Sequence, residues 1–203
     1  MKKFIFLFFF LNPNTSKCQY LSISSNIGIA LGETKLIKKN MLVGGMQFGY
    51  IKKLNQTSEI TFSVGQSVIN FDYYDQNLNS VYNERKFITI PIILTKNINY
   101  FKSDKFNLNI GIGLIGNWCY KDIRETKNIL YTSKTKIKNT GISAGFLFDL
   151  SIKYKLNKIT YISVSLQPQV DVLTKYKSED NKINLKKNLL NFSYIIDIKK
   201  NKK

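Results

Sequence analysis

The chain has 203 residues, of which 43% are apolar and 22% charged, with a formal net charge of +18, two cysteines and no histidine. That length suits one domain, or at most two small ones, with enough chain for a closed core. Without histidine there is no imidazole-based nucleophile system and no His-bearing zinc site, and no apolar run approaches the roughly 18–20 residues of a membrane helix.

At the amino terminus, Lys2 and Lys3 precede the unbroken apolar run Phe4–Leu11, and a polar stretch follows. A basic start and a short apolar core predict a secretory signal peptide over residues 1–18. Ser16 and Cys18 supply the small side chains before a cleavage point, so the mature domain spans 19–203 and begins at Gln19. Two rival readings make Cys18 a lipid-anchored cysteine, which Lys17 fits poorly, or make the segment a buried, Phe-rich strand. After cleavage Cys119 is the one remaining thiol, so an internal disulfide is ruled out and the fold must carry the stability itself.

From Gln19 onward apolar residues recur with period two in eight segments, the pattern of strands with two unlike faces. The first sets Leu21, Ile23, Ile27, Ile29 and Leu31 against Ser22, Ser24, Asn26, Gly28 and Ala30. The second sets Leu42, Met46, Phe48 and Tyr50 against Gly45, Gln47 and Gly49. The third carries Ile60, Phe62 and Val64, then changes phase before Ile69, Phe71 and Tyr73, which predicts a bulge near Gln66–Val68. The fourth aligns Ile88, Ile90, Ile92 and Leu94. The fifth, the most regular, opposes Leu108, Ile110, Ile112, Leu114 and Trp118 to Asn107, Asn109, Gly111, Gly113 and Asn117. The sixth, seventh and eighth do the same around Ile142–Tyr154, Ile162–Val170 and Leu190–Ile198. Pro91 and Pro168 interrupt two of these segments and are expected at a bulge or a rim.

Connections alternate in length. Long ones, Glu33–Asn40, Tyr74–Glu84, Lys121–Lys138 and Thr174–Lys187, follow the odd segments. Short ones, Lys52–Ser58, Lys96–Lys105 and Lys155–Lys158, follow the even segments. This layout predicts an all-β fold, an eight-stranded antiparallel up-and-down transmembrane β-barrel with both termini at the tight-turn end. A soluble, lipocalin-like barrel that binds a small apolar ligand also alternates, but with its apolar face inward. The polar faces decide between them. They consist mostly of Gly, Ser, Asn, Thr and Gln, which suit a narrow filled interior, whereas a water-facing wall would carry long charged side chains. Tyr20, Tyr50, Tyr73, Phe106, Trp118, Tyr120, Tyr154 and Tyr161 lie toward segment ends, where membrane-interface girdles are found.

Four charges, Asp149, Lys153, Asp171 and Asp197, fall on the polar faces and are expected to form a neutralising structural network in the lumen. Most lysines fall in connections and tails. Lys121, Arg124, Lys127, Lys134, Lys136 and Lys138 form a candidate surface for anionic lipid head groups or a surface polymer. Only two of the 31 basic residues are arginine and no nucleic-acid motif is present, so no nucleic-acid partner is expected. Lys, Asn and Ile together exceed a third of the chain, a compositional bias that accounts for much of the charge. Phosphate loops and nucleophile elbows are absent from the sequence. The expectation is a monomer without cofactor or metal, not an enzyme, held in outer-membrane lipid.

Ile88–Lys96, ITIPIILTK, followed by FNLNIGIGL at Phe106–Leu114 and TGISAGFLFDL at Thr140–Leu150, resembles the small outer-membrane β-barrel family abundant in Bacteroidetes, often called PorT-like. An aliphatic-Pro-aliphatic strand leading into glycine-spaced strands, and a mature start at Gln19, are shared features. The resemblance implies a cell-envelope barrel with a link to secretion or envelope biogenesis. The carboxy terminus departs from many barrels, ending in Lys-Lys-Asn-Lys-Lys where an aromatic residue is common.

Overall fold

The computed structural model describes residues 19–33, 38–74, 80–98, 105–127, 132–137, 141–176 and 184–198. The expected signal segment, with Cys18, lies outside these residues.

Nine strands run in chain order: β1 (Gln19–Glu33), β2 (Lys38–Lys53), β3 (Ser58–Tyr74), β4 (Ser80–Ile98), β5 (Phe106–Lys127), β6 (Thr132–Ile137), β7 (Gly141–Lys155), β8 (Thr160–Tyr176) and β9 (Asn184–Asp197). All ladders are antiparallel, and the β4–β5 pairing closes eight of the strands into a ring. The ninth, β6, stands outside the ring, paired with Asp122–Lys127 of β5, while Phe106–Cys119 of the same strand pair with β7. The eight-stranded barrel read from the sequence is therefore the ring, and one predicted loop contains a further strand.

Following the pairing once round the wall, from Asn117 through Thr89, Gly65, Gln47, Ser24, Ser193, Ser163 and Lys153, leads back to Asn107, ten residues along the starting strand. That stagger over eight strands sets a tilt of about 40–45°. Every residue on this path faces inward, and none has a large apolar side chain. Alternation in the sequence thus becomes two concentric surfaces.

The register corrects several sequence expectations. No bulge occurs at Gln66–Val68: β2 and β3 pair without a shift from Leu42↔Asn70 to Lys53↔Glu59. The strand stays regular, and the change of apolar phase means that Ile69 points inward. The irregularities lie at Lys86/Phe87, opposite the extra residue Tyr120, and at Ala144/Gly145, opposite the extra residue Val172. Neither proline sits at a bulge. The β3–β4 ladder skips from Phe62↔Ile92 to Gly65↔Thr89 beside Pro91, and the β7–β8 ladder skips from Leu147↔Gln169 to Leu150↔Leu166 beside Pro168. Each missing N–H interrupts one ladder and leaves the register intact on both sides.

The long connections are also shorter than the sequence pattern suggests. Beyond the rim, β3, β4, β5 and β6 continue as a paired wall, with Tyr74↔Ser80, Ser80↔Lys127 and Lys127↔Thr132 at its top. Among the described strands, β1, β7 and β9 stop much nearer the rim, so the wall rises on one side.

Candidate functional site

Outward positions carry the large apolar side chains. Leu42, Phe48, Ile112, Leu114, Ile142 and Phe146 are all more than half exposed, and Ile112 reaches 65%. Phe106 and Tyr154 meet at the tight-turn border with ring centroids 4.7 Å apart and planes inclined by 42°. Trp118 and Tyr120 mark the other border, where Gln66 Nε2 donates to the Tyr120 hydroxyl. The rise from Phe106 to Trp118 along a strand tilted by about 40° is roughly 30 Å, the thickness of a hydrocarbon core. Tyr20 and Tyr161 do not join this girdle. They meet edge to face inside the barrel, at 5.8 Å, beside Ile51 and Ile195.

The inward face changes along the axis. Near the tight-turn end it is largely hydroxylic around a small aromatic cluster and leaves open space. A cavity of about 90 Å³ at the mouth is lined by Tyr20, Lys53, Glu59, Asn97, Asn109 and Lys153, among others. It adjoins one of about 60 Å³ lined by Ser22, Ser63, Ser151, Ser163, Ser165 and Asp149. Both are small against the roughly 300 Å³ or more of a ligand pocket. Lys153 on β7 bridges to Glu59 on the non-adjacent β3, crossing the lumen between the two cavities. Deeper in, Asp149 accepts from Gln167 Nε2 at 2.7 Å.

Toward the long-loop end the lumen closes. Ala30, Met41, Val43, Ile69, Phe87, Cys119 and Leu189 form one buried apolar cluster. Beside it Asp171 accepts from Ser143 Oγ at 2.9 Å and Asn117 Nδ2 at 3.2 Å. Lys187 reaches across from β9, its Nζ 3.5 Å from Asn117 Oδ1 and 5.4 Å from the centre of the Phe87 ring on the opposite wall. Above this level, Arg85 Nε meets Asp122 Oδ2 at 3.0 Å with both side chains buried, beside Asn83. The chain's two arginines both lie in this region, Arg124 following Asp122 by two residues on β5.

All four expected lumen charges face inward, but at different heights and with different partners. Lys153 pairs with Glu59, Asp149 is held by Gln167, and Asp171 sits with Ser143 and Asn117. Asp197 is buried at the tight-turn end. Sequence reasoning missed Glu59, Arg85, Asp122 and Lys187, because each falls next to or within a segment read as a connection; alternation extended past the apolar stripe would have found Glu59, Arg85 and Lys187, whereas the extra residue Tyr120 shifts the phase before Asp122. Of the expected surface residues, Lys121, Arg124 and Lys127 lie on β5, and Lys134 and Lys136 on β6, opposite Glu125 and Ile123 in the ladder. Lys138 lies outside the described residues. Lys86 and Lys121 pair directly across β4 and β5, just beyond the apolar belt, and Lys86 also meets Glu84 at 3.4 Å.

No family model matches the chain, and no curated protein matches its sequence. Its structural neighbours are small outer-membrane β-barrel proteins. Neisserial surface protein A (NspA) is 11% identical with a TM-score of 0.51, the match covering 89% of this chain and 97% of that one. The outer membrane protein OprG from Pseudomonas aeruginosa is 9% identical with a TM-score of 0.51, covering 90% and 94%. At these identities the likeness is one of fold.

Proposed function

We propose that the chain is an exported, monomeric barrel of a Gram-negative outer membrane, with a structural or surface-interaction role and no catalytic one. The observation that carries this reading is the distribution of faces: a belt of Ile, Leu, Phe and Val outward, and inward mostly Ser, Thr, Asn, Gln and Gly, interrupted by apolar clusters such as the one around Phe87. A soluble carrier needs the reverse, and the cavities of about 90 and 60 Å³ among the described residues are too small for a typical apolar ligand. Export rests on the Lys2-Lys3-apolar start. The PorT-like resemblance adds a link to secretion or envelope biogenesis, by analogy of fold and motif only.

The basic residues beyond the belt supply the surface. Lys86 and Lys121 face one another across a ladder, where like charges repel, and Glu84, 3.4 Å from Lys86, offsets one of the two. Lys127 lies farther along β5, 3.9 Å from Glu125, and Lys134 and Lys136 hold ladder positions on β6 opposite Glu125 and Ile123. Phosphorylated lipid head groups lie at that height above a hydrocarbon belt, and their charge matches it. Fractionation tests the location: the protein should stay with outer membranes and migrate faster unheated than heated in detergent gels. Recovery as a free periplasmic protein would overturn the reading.

A further inference from the structure

We propose that the lumen is a blind aqueous vestibule, reached only from the tight-turn end and sealed against ion flow at the level of Phe87 and Lys187. Three observations carry this. The inward groups of the lower half keep solvent contact: Ser24, Thr61, Ser63, Asn107, Lys153 and Ser193 are all partly exposed. The two cavities open among polar side chains, with Asn97 and Asn109 lining one and Asn191 the other. Polar cavities of this size hold water. Above them accessibility stops, with Phe87 at 1%, Ile69 at 1% and Lys187 at 2%.

The closure combines two devices. The apolar cluster around Phe87 fills one side of the lumen and excludes water, as hydrophobic constrictions do. Lys187 closes the other side, its stem laid along apolar neighbours and its ammonium held between Asn117 and the Phe87 ring. A cation arriving from below meets the Lys187 side chain, with Asp171 close by, and a dry cluster together. The Glu59–Lys153 bridge lower down crosses between the two cavities, and Glu59 and Lys153 line both.

Silver ion, small enough for a water-sized passage, is the probe. In a Cys18→Ser/Cys119→Ser background, Ser163→Cys places a thiol in the vestibule and Ser133→Cys places one on exposed β6. The barrel is refolded into sealed vesicles in which the Ser133→Cys thiol is lost from one side only. The Ser163→Cys thiol should be lost to silver added on the other side and retained against silver on the β6 side. Loss from the β6 side, or retention against both, would overturn the proposal. In planar bilayers the unmodified protein should show no conductance steps, and steps from it would likewise overturn the seal. Phe87→Gly/Lys187→Ala should introduce discrete steps, and a heat-modifiable variant that stays silent would count against this level as the closure. If that variant does not fold, the thiol experiment still decides. None of these readings depends on where the protein resides in the cell.

Discussion

Gly111 lies on the inward face of β5, where an added Cβ would fall 2.5 Å from Thr95 Cγ2 and 3.0 Å from Leu94 O. Gly116, five residues on and on the outward face, has no heavy atom within 4 Å of that position. One strand therefore holds a glycine required by packing and another that is not. Gly111→Leu should overpack the interior and cost roughly 1–3 kcal/mol, while Gly116→Leu should be close to neutral in urea unfolding from vesicles. Ile112, beside Gly111 but outward and near mid-belt, tests the opposite surface: Ile112→Arg should cost roughly 2–4 kcal/mol in lipid. Equal tolerance of the inward and outward changes would contradict the assignment of faces. Charge inside behaves differently again. Lys153→Met leaves the Glu59 carboxylate without its cation, and a loss of about 2 kcal/mol is expected, less than for a fully buried pair because both side chains keep some exposure. Adding Glu59→Gln should recover most of it, and a double-mutant cycle measures the coupling.

At the scale of elements, the bulge opposite Lys86/Phe87 lets β5 leave the membrane without losing its interior. Tyr120 and Lys121 both turn outward there, and Asp122 faces in to meet Arg85. Deleting Tyr120 removes the extra residue and leaves Asp122 inward, so a folded, heat-modifiable barrel should survive with the girdle weakened. Deleting Gly116, in the regular part of the strand, turns one flank inside out; no heat-modifiable band should form. The same geometry explains what was legible in the sequence. Period-two alternation is written only where one face meets lipid and the other a filled core, and there all eight ring strands were found, with their faces. Beyond the rim both faces of Ser80–Lys86, Lys121–Lys127 and Thr132–Ile137 are largely polar, the signal fades, and strands read as loops. Ile69 misled in the other direction: an apolar residue recruited to the interior plug looks like a change of phase. Pro91 and Pro168 show that a lost donor is tolerated without a register change when the ladder on the other side holds.

For the molecule as a whole, the excess of positive charge lies away from the belt, on the wall beyond Trp118 and at the tight-turn end. Binding of the folded barrel to vesicles of anionic lipid should accordingly weaken as salt rises from 0.01 to 0.15 M, over which the Debye length falls from about 30 to 8 Å. Lys121→Gln/Lys127→Gln/Lys134→Gln should lower that binding and flatten its salt dependence; an unchanged slope would remove the wall from the interaction. The wall has a second consequence, because β3 to β6 rise above the rim while β1, β7 and β9 end nearer to it. A barrel with a level rim presents the same profile to its neighbours at every rotation about its axis. Among the described residues this one has a side on which the wall stands tallest, so molecules crowded side by side in a bilayer meet β3 to β6 differently from the rest of the ring. Its packing among them is directional before any specific contact forms.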